Sequence, residues 1–131
     1  MAAPVVPARW ILLVDDEPLV RDSVQRMLAT CGHEVAAAAG GEEALALFEK
    51  QKFDLAIIDY AMPVMKGDEL AAILKSRDAS VPVLMISASA EKLQALGRSL
   101  AGVDVIIGKP FQMEELLDAV ARILPDKCSG G

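Results

Sequence analysis

Five short apolar runs, at residues 10–14, 33–38, 54–58, 81–86 and 103–107, alternate with five stretches whose apolar residues recur at helical spacing. Runs of this length fit strands buried on both faces. Their alternation with helices predicts repeated βα units, a parallel sheet covered by helices on both sides. The second run is the weakest, because its alanines have low β propensity. The helical stretches fall at 17–31, 41–51, 67–77, 91–100 and 113–124. In the first, Pro18 is tolerated in the opening turn, Gly32 supplies the stop, and Val20, Val24, Met27 and Leu28 form the inner face. Leu45 and Phe48 make the same stripe in the second, and Leu70, Ile73 and Leu74 make it in the third. In the fourth, Leu93, Leu96 and Leu100 share a face, but Gly97 in its interior costs about 1 kcal/mol relative to Ala. That helix is expected to be the loosest and the natural element to move. Pro125 ends the fifth.

The ends of parallel strands share one edge of the sheet, so residues far apart in sequence converge there. Asp15, Asp16, Asp59, Ser87 and Lys109 each follow an apolar run. Carboxylates gathered within a few ångströms repel by about 4 kcal/mol per close pair at an intermediate dielectric, so the pocket calls for a cation. Asp59 precedes Met62-Pro63 and Gly67, and its carboxylate is expected to stand exposed in a loop at the strand end. A carboxylate there can attack phosphorus and form an acyl phosphate. Asp16, with Asp15 directly or through water, would hold Mg2+, a hard ion that prefers carboxylates, waters and phosphate oxygens. Ser87 and Lys109 would offer a hydroxyl and a fixed positive charge to phosphoryl oxygens.

The length of 131 residues suits one domain, with a segment 1–9 before it, the domain at 10–124 and a tail at 125–131. Hydrophobic residues make up 53% but aromatics only 4%, so the core must be built from aliphatic side chains. The net charge of −6, with Lys and Arg scattered, argues against direct nucleic-acid binding. The apolar run at 10–14 is too short for a signal-peptide core or a membrane span, which predicts a soluble, cytoplasmic protein without membrane contact. Cys31 and Cys128 read as two incidental thiols in a reducing compartment. His33 reads as a surface residue in a Gly-His turn, and Glu42-Glu43 as a helix opening favoured by the dipole.

Each polar residue alone has a structural explanation: a strand end, a turn, a local hydrogen bond or a solvated charge. Their conjunction does not. With Val14-Asp15-Asp16-Glu17-Pro18, Asp59 followed by Met62-Pro63 and Gly67, Ser87-Ala88 and Lys109-Pro110-Phe111, the chain resembles the receiver domain of two-component response regulators over about residues 10–124. The resemblance implies a flavodoxin-like, doubly wound (βα)5 fold with strand order 2-1-3-4-5. It implies a phosphoacceptor module rather than an enzyme. Asp59 would take phosphate from a sensor histidine kinase or a histidine phosphotransfer protein, and Asp16, Asp59 and the Ala61 carbonyl would bind Mg2+. Ser87 and Lys109 would contact the phosphoryl group. A downstream protein or effector domain would read the state of the site, and a homodimer would form through helix four, strand five and helix five.

Two positions depart from the family's pattern. Ile106, three residues before Lys109, replaces the usual aromatic, and Tyr60 and Ala61 leave little side-chain cover over an acyl phosphate. A degenerate receiver serving as a binding or dimerisation scaffold is the main competing expectation, disfavoured by the complete set of site residues. A haloacid-dehalogenase-type phosphatase would need two aspartates separated by one residue and room for a cap domain. A nucleotide-binding module would need a Gly-rich loop after the first strand, and none is present.

Overall fold

The computed structural model describes residues 9–88, 103–109 and 111–124. Their elements in chain order are β1 (Trp10–Val14), α1 (Pro18–Thr30), β2 (Glu34–Ala38), α2 (Gly41–Lys50), β3 (Leu55–Asp59), α3 (Gly67–Arg77), β4 (Val83–Ser87), β5 (Val105–Gly108) and α4 (Met113–Ile123). The five strands form one parallel sheet in the order β2-β1-β3-β4-β5. The expected helix at 91–100, one part of the expected dimer face, lies outside the described residues.

The alternation of side chains along a strand builds two cores at once. Leu12, Val14, Ala56, Ile58, Val83 and Met85 face α2 and α3, packing against Ala44, Leu70, Ala71 and Leu74. The intervening residues Ile11, Leu13, Leu55, Ile57, Leu84 and Ile86 face α1 and α4, packing against Val24, Leu28, Leu116 and Val120. Each fully buried Leu or Ile side chain contributes about 1.5–3 kcal/mol. These two aliphatic layers hold the central strands rigid, and rigid strands fix where their ends stand.

The edge strand β2 has little intrinsic tendency to extend, and its order comes from pairing. Its five residues lie in register with all of β1, from Trp10 opposite Glu34 to Val14 opposite Ala38. Helix starts are set locally. The Glu69 carboxylate accepts the Lys66 N–H at 3.0 Å at the start of α3, and Glu115 accepts the Gln112 N–H at 3.0 Å at the start of α4. Gly32, with φ of 91°, turns the chain out of α1 where an L side chain would be strained.

Two sequence expectations outside the site fail. His33 is buried, not on the surface: after the Gly32 turn its N–H donates to the Leu28 carbonyl at 3.2 Å, tucking the residue under the end of α1. Cys31, at the same helix end, is disulfide-bonded rather than an incidental thiol. The other cysteine, Cys128, lies outside the described residues. Among the described residues no helix is long and apolar enough to cross a membrane.

Candidate functional site

The strand register brings four of the five strand ends to one edge of the sheet. β3 runs one residue further than its apolar run suggests: Asp59 pairs with Ile86 and is the last residue of the strand, and the Tyr60 N–H donates to the Ile86 carbonyl at 2.8 Å. Asp59 is therefore buried, 4% exposed, and not displayed in a loop as expected. Ser87, buried, ends β4 opposite Gly108, and its carbonyl accepts the Lys109 N–H at 2.9 Å. Lys109 follows β5 directly.

Asp15 follows β1 and is locked from several directions. Its N–H donates to the Ala38 carbonyl at 3.1 Å, and its carboxylate accepts the Glu17 N–H at 2.9 Å. Its carbonyl accepts from Arg21 Nη1 at 2.7 Å. The next residue, Asp16, is half-buried, and its side chain reaches the Asp59 carboxyl group.

The Lys109 ammonium sits among three carboxylates: Glu17 Oε1 at 3.3 Å, Asp59 Oδ1 at 3.4 Å and Asp15 Oδ2 at 3.7 Å. Burial works against its charge, but Asp15, Asp59 and Glu17 outweigh that and hold its pKa above the ordinary lysine value. Burial pushes the Asp59 carboxyl up to about 6, with Lys109 opposing and Asp15 and Asp16 adding to the rise. Asp15 is raised for the same leading reason, moderated by the Glu17 N–H and by Lys109.

The loop between Asp59 and α3 is closed by the Gly67 N–H donating to the Tyr60 carbonyl at 2.9 Å. A Cβ at Gly67 would stand 2.7 Å from the Asp59 carbonyl oxygen and 2.8 Å from the Tyr60 Cα, so only glycine lets α3 begin this close to the site. Ala61 is exposed in this loop, and Val64 within it adopts φ of 71°. Ile106, at the departure from the family's aromatic, is half-buried against the core that α2 and α3 cover.

The donor set fits a hard divalent cation. Ligand oxygens of Asp15, Glu17 and Asp59 lie within 4.8 Å of one another, and the raised carboxyl pKa values show how poorly this pocket tolerates its negative charge without one. Glu17 is the site residue that the sequence reading missed. Its signal was a third consecutive carboxylate after β1, but its contact with Lys109 is long-range and no local pattern encodes it.

Residues 11–121 match the response regulator receiver domain family. The chain is 35% identical over 129 residues to a response regulator, MprA, of Mycolicibacterium vanbaalenii, covering 95% of this chain and 55% of that protein. It thus spans about half the length of the curated relatives it matches. Among solved structures, the chemotaxis response regulator CheY4 of Vibrio cholerae superposes with a TM-score of 0.80 at 36% identity, covering 89% of this chain and 99% of that one. The response regulator TrrA of Thermotoga maritima, solved in complex with Mg(2+)-BeF, superposes with a TM-score of 0.79 at 31% identity, covering 88% and 98%.

Proposed function

The chain belongs to the response regulator receiver domain family, and from that membership we propose that it is a phosphoacceptor module that takes a phosphoryl group onto Asp59 in a Mg2+-dependent reaction. The observation that carries this reading is the Asp59 carboxylate, buried at the end of β3 with the Lys109 ammonium 3.4 Å away. A buried carboxylate beside a fixed cation, at the edge of a rigid sheet, is a nucleophile held in place for an anionic electrophile.

The phosphoryl source is a phosphohistidine on a sensor histidine kinase or a histidine phosphotransfer protein. An Asp59 oxygen attacks phosphorus, the P–N bond breaks, and the leaving imidazole nitrogen takes up a proton. Lys109 donates to the phosphoryl oxygens and offsets the charge that accumulates on them. Ser87, at the end of the neighbouring strand, supplies a hydroxyl to the same group. Asp16, Asp59 and the Ala61 carbonyl, with Asp15 directly or through water, would hold Mg2+, whose chemistry here is to neutralise charge between carboxylate and phosphate. TrrA, similar in fold and sequence, was solved in complex with Mg(2+)-BeF, which supports a Mg2+ role at this site.

The phosphorylated state would be read by a downstream protein or effector domain. Ile106 has neither hydroxyl nor ring, so the change at Ser87 would pass through backbone and aliphatic packing. Intact-protein mass after incubation with phosphoramidate and Mg2+ tests the reading: gain of one phosphoryl group supports it, and none refutes it.

A further inference from the structure

Lys109 carries three N–H donors, and three carboxylates surround it: Glu17 at 3.3 Å, Asp59 at 3.4 Å and Asp15 at 3.7 Å. A phosphoryl group on Asp59 would compete with these carboxylates for that ammonium, and Glu17 is the one that accepts a hydrogen bond from it at 3.3 Å. Asp15 is not free to yield, being buried and tied to the Glu17 N–H at 2.9 Å. Asp59 would itself bear the phosphoryl group. Glu17 differs from both: its side chain is 60% exposed, and although it stands at the N-cap of α1 it makes no capping hydrogen bond to the helix. Its carboxylate instead accepts from Lys109 Nζ.

We propose that Glu17 is a placeholder for the phosphoryl group, a positioning residue whose carboxylate occupies the Lys109 donor that the phosphoryl oxygens later take. The inference rests on the acceptor role proposed for Asp59. In the unphosphorylated protein Glu17 keeps Lys109 aimed at the site and shares its charge. An arriving dianion brings like charge beside Glu17 and competes for the same ammonium, so Glu17 swings out. It has somewhere to go: Glu17 and Lys109 both border an open groove of about 530 Å3 between the start of α1 and the start of α4, lined also by Leu19, Val20, Phe111 and Met113. Phosphorylation therefore changes the charge at the mouth of that groove.

Labelling by phosphoramidate, in which an Asp59 oxygen bonds to phosphorus as the P–N bond breaks and the nitrogen leaves as ammonia, tests the idea with the wild type and Glu17→Gln. At saturating Mg2+, Glu17→Gln is expected to label about two- to fivefold faster, the size expected from releasing one partly exposed ion pair. A second arm reads the pair without any phosphoryl chemistry. In metal-free denaturant unfolding, Glu17→Gln and Lys109→Gln are expected to be non-additive. A labelled wild type with Glu17→Gln equal or slower at saturating Mg2+ overturns the placeholder alone, as does strict additivity in the cycle. If Glu17→Gln only raises the Mg2+ concentration required, Glu17 is a metal ligand and the proposal is again wrong. An unlabelled wild type overturns the acceptor assignment itself.

Discussion

Lys109 Nζ stands 3.4 Å from Asp59 Oδ1, joining the end of β5 to the end of β3 across β4. Neither residue is positioned by its own loop. Asp59 is held by the strand ladder to Ile86, and Lys109 by its N–H on the Ser87 carbonyl at 2.9 Å. The charge balance of the site is thus a property of the sheet, and substitutions there should act through electrostatics before they act through folding.

The first consequence concerns pH. Burial raises the Asp59 carboxyl from 3.8 to about 6 in the metal-free protein. The sign follows from linkage: the folded state holds this proton more tightly than the unfolded chain, so the stability it contributes is fully present below about pH 4 and lost as pH rises through about 6. Asp59→Asn removes the ionisation. Metal-free Asp59→Asn is expected to be more stable than the wild type at pH 7–8, by on the order of 1–3 kcal/mol, and to converge with it below pH 4. Thermal unfolding across that range checks it; a variant less stable at pH 8 would mean that the Lys109 pair outweighs the burial cost.

Asp16 reaches the Asp59 carboxyl group and contributes to its raised pKa. Asp16→Ala should leave the metal-free fold intact or slightly more stable while raising the Mg2+ concentration needed for labelling by at least tenfold. Calorimetric titration with Mg2+ and metal-free unfolding decide it together. A large loss of metal-free stability would make Asp16 a structural residue.

Gly67 faces backbone, with the Asp59 carbonyl oxygen 2.7 Å from where a Cβ would stand. Backbone cannot yield as a flexible side chain can. Gly67→Ala is expected to cost about 1–3 kcal/mol in denaturant unfolding and to slow labelling by displacing Asp59. Wild-type stability in that variant would show that the start of α3 is not held against the site.

How much of this was legible in sequence depended on the range of the interaction. β1 and both ends of α3 match expectation, because an apolar run and a helical stripe of Leu70, Ile73 and Leu74 mark them locally. The burial of Asp59 was missed because its last ladder pairing belongs to β4, not to its own run. Glu17 was missed for a similar reason: its partner, Lys109, is 92 residues away in sequence. His33 and Cys31 both sit at the Gly32 turn, whose φ of 91° redirects the chain in a way composition does not report.

Val64 was equally invisible. It is 97% exposed, with φ of 71°, and sits between Pro63 and Met65, whose N–H donates back to the Pro63 carbonyl at 2.8 Å. A β-branched residue is strained in that turn, and its side chain gains nothing from packing. Val64→Asn, which tolerates positive φ, is expected to stabilise the protein by about 1 kcal/mol in denaturant unfolding. A loss of stability would show that the valine makes contacts this exposure rules out.

The central claim is that Asp59 accepts a phosphoryl group with the help of a divalent cation, and intact-protein mass spectrometry on the wild type and Asp59→Asn tests it most directly. With phosphoramidate and Mg2+, the wild type should gain one phosphoryl group and Asp59→Asn none, since an amide is a poor nucleophile. A chelator should abolish labelling of the wild type. Equal labelling of Asp59→Asn, or a wild type that stays unlabelled with Mg2+ present, would contradict the account.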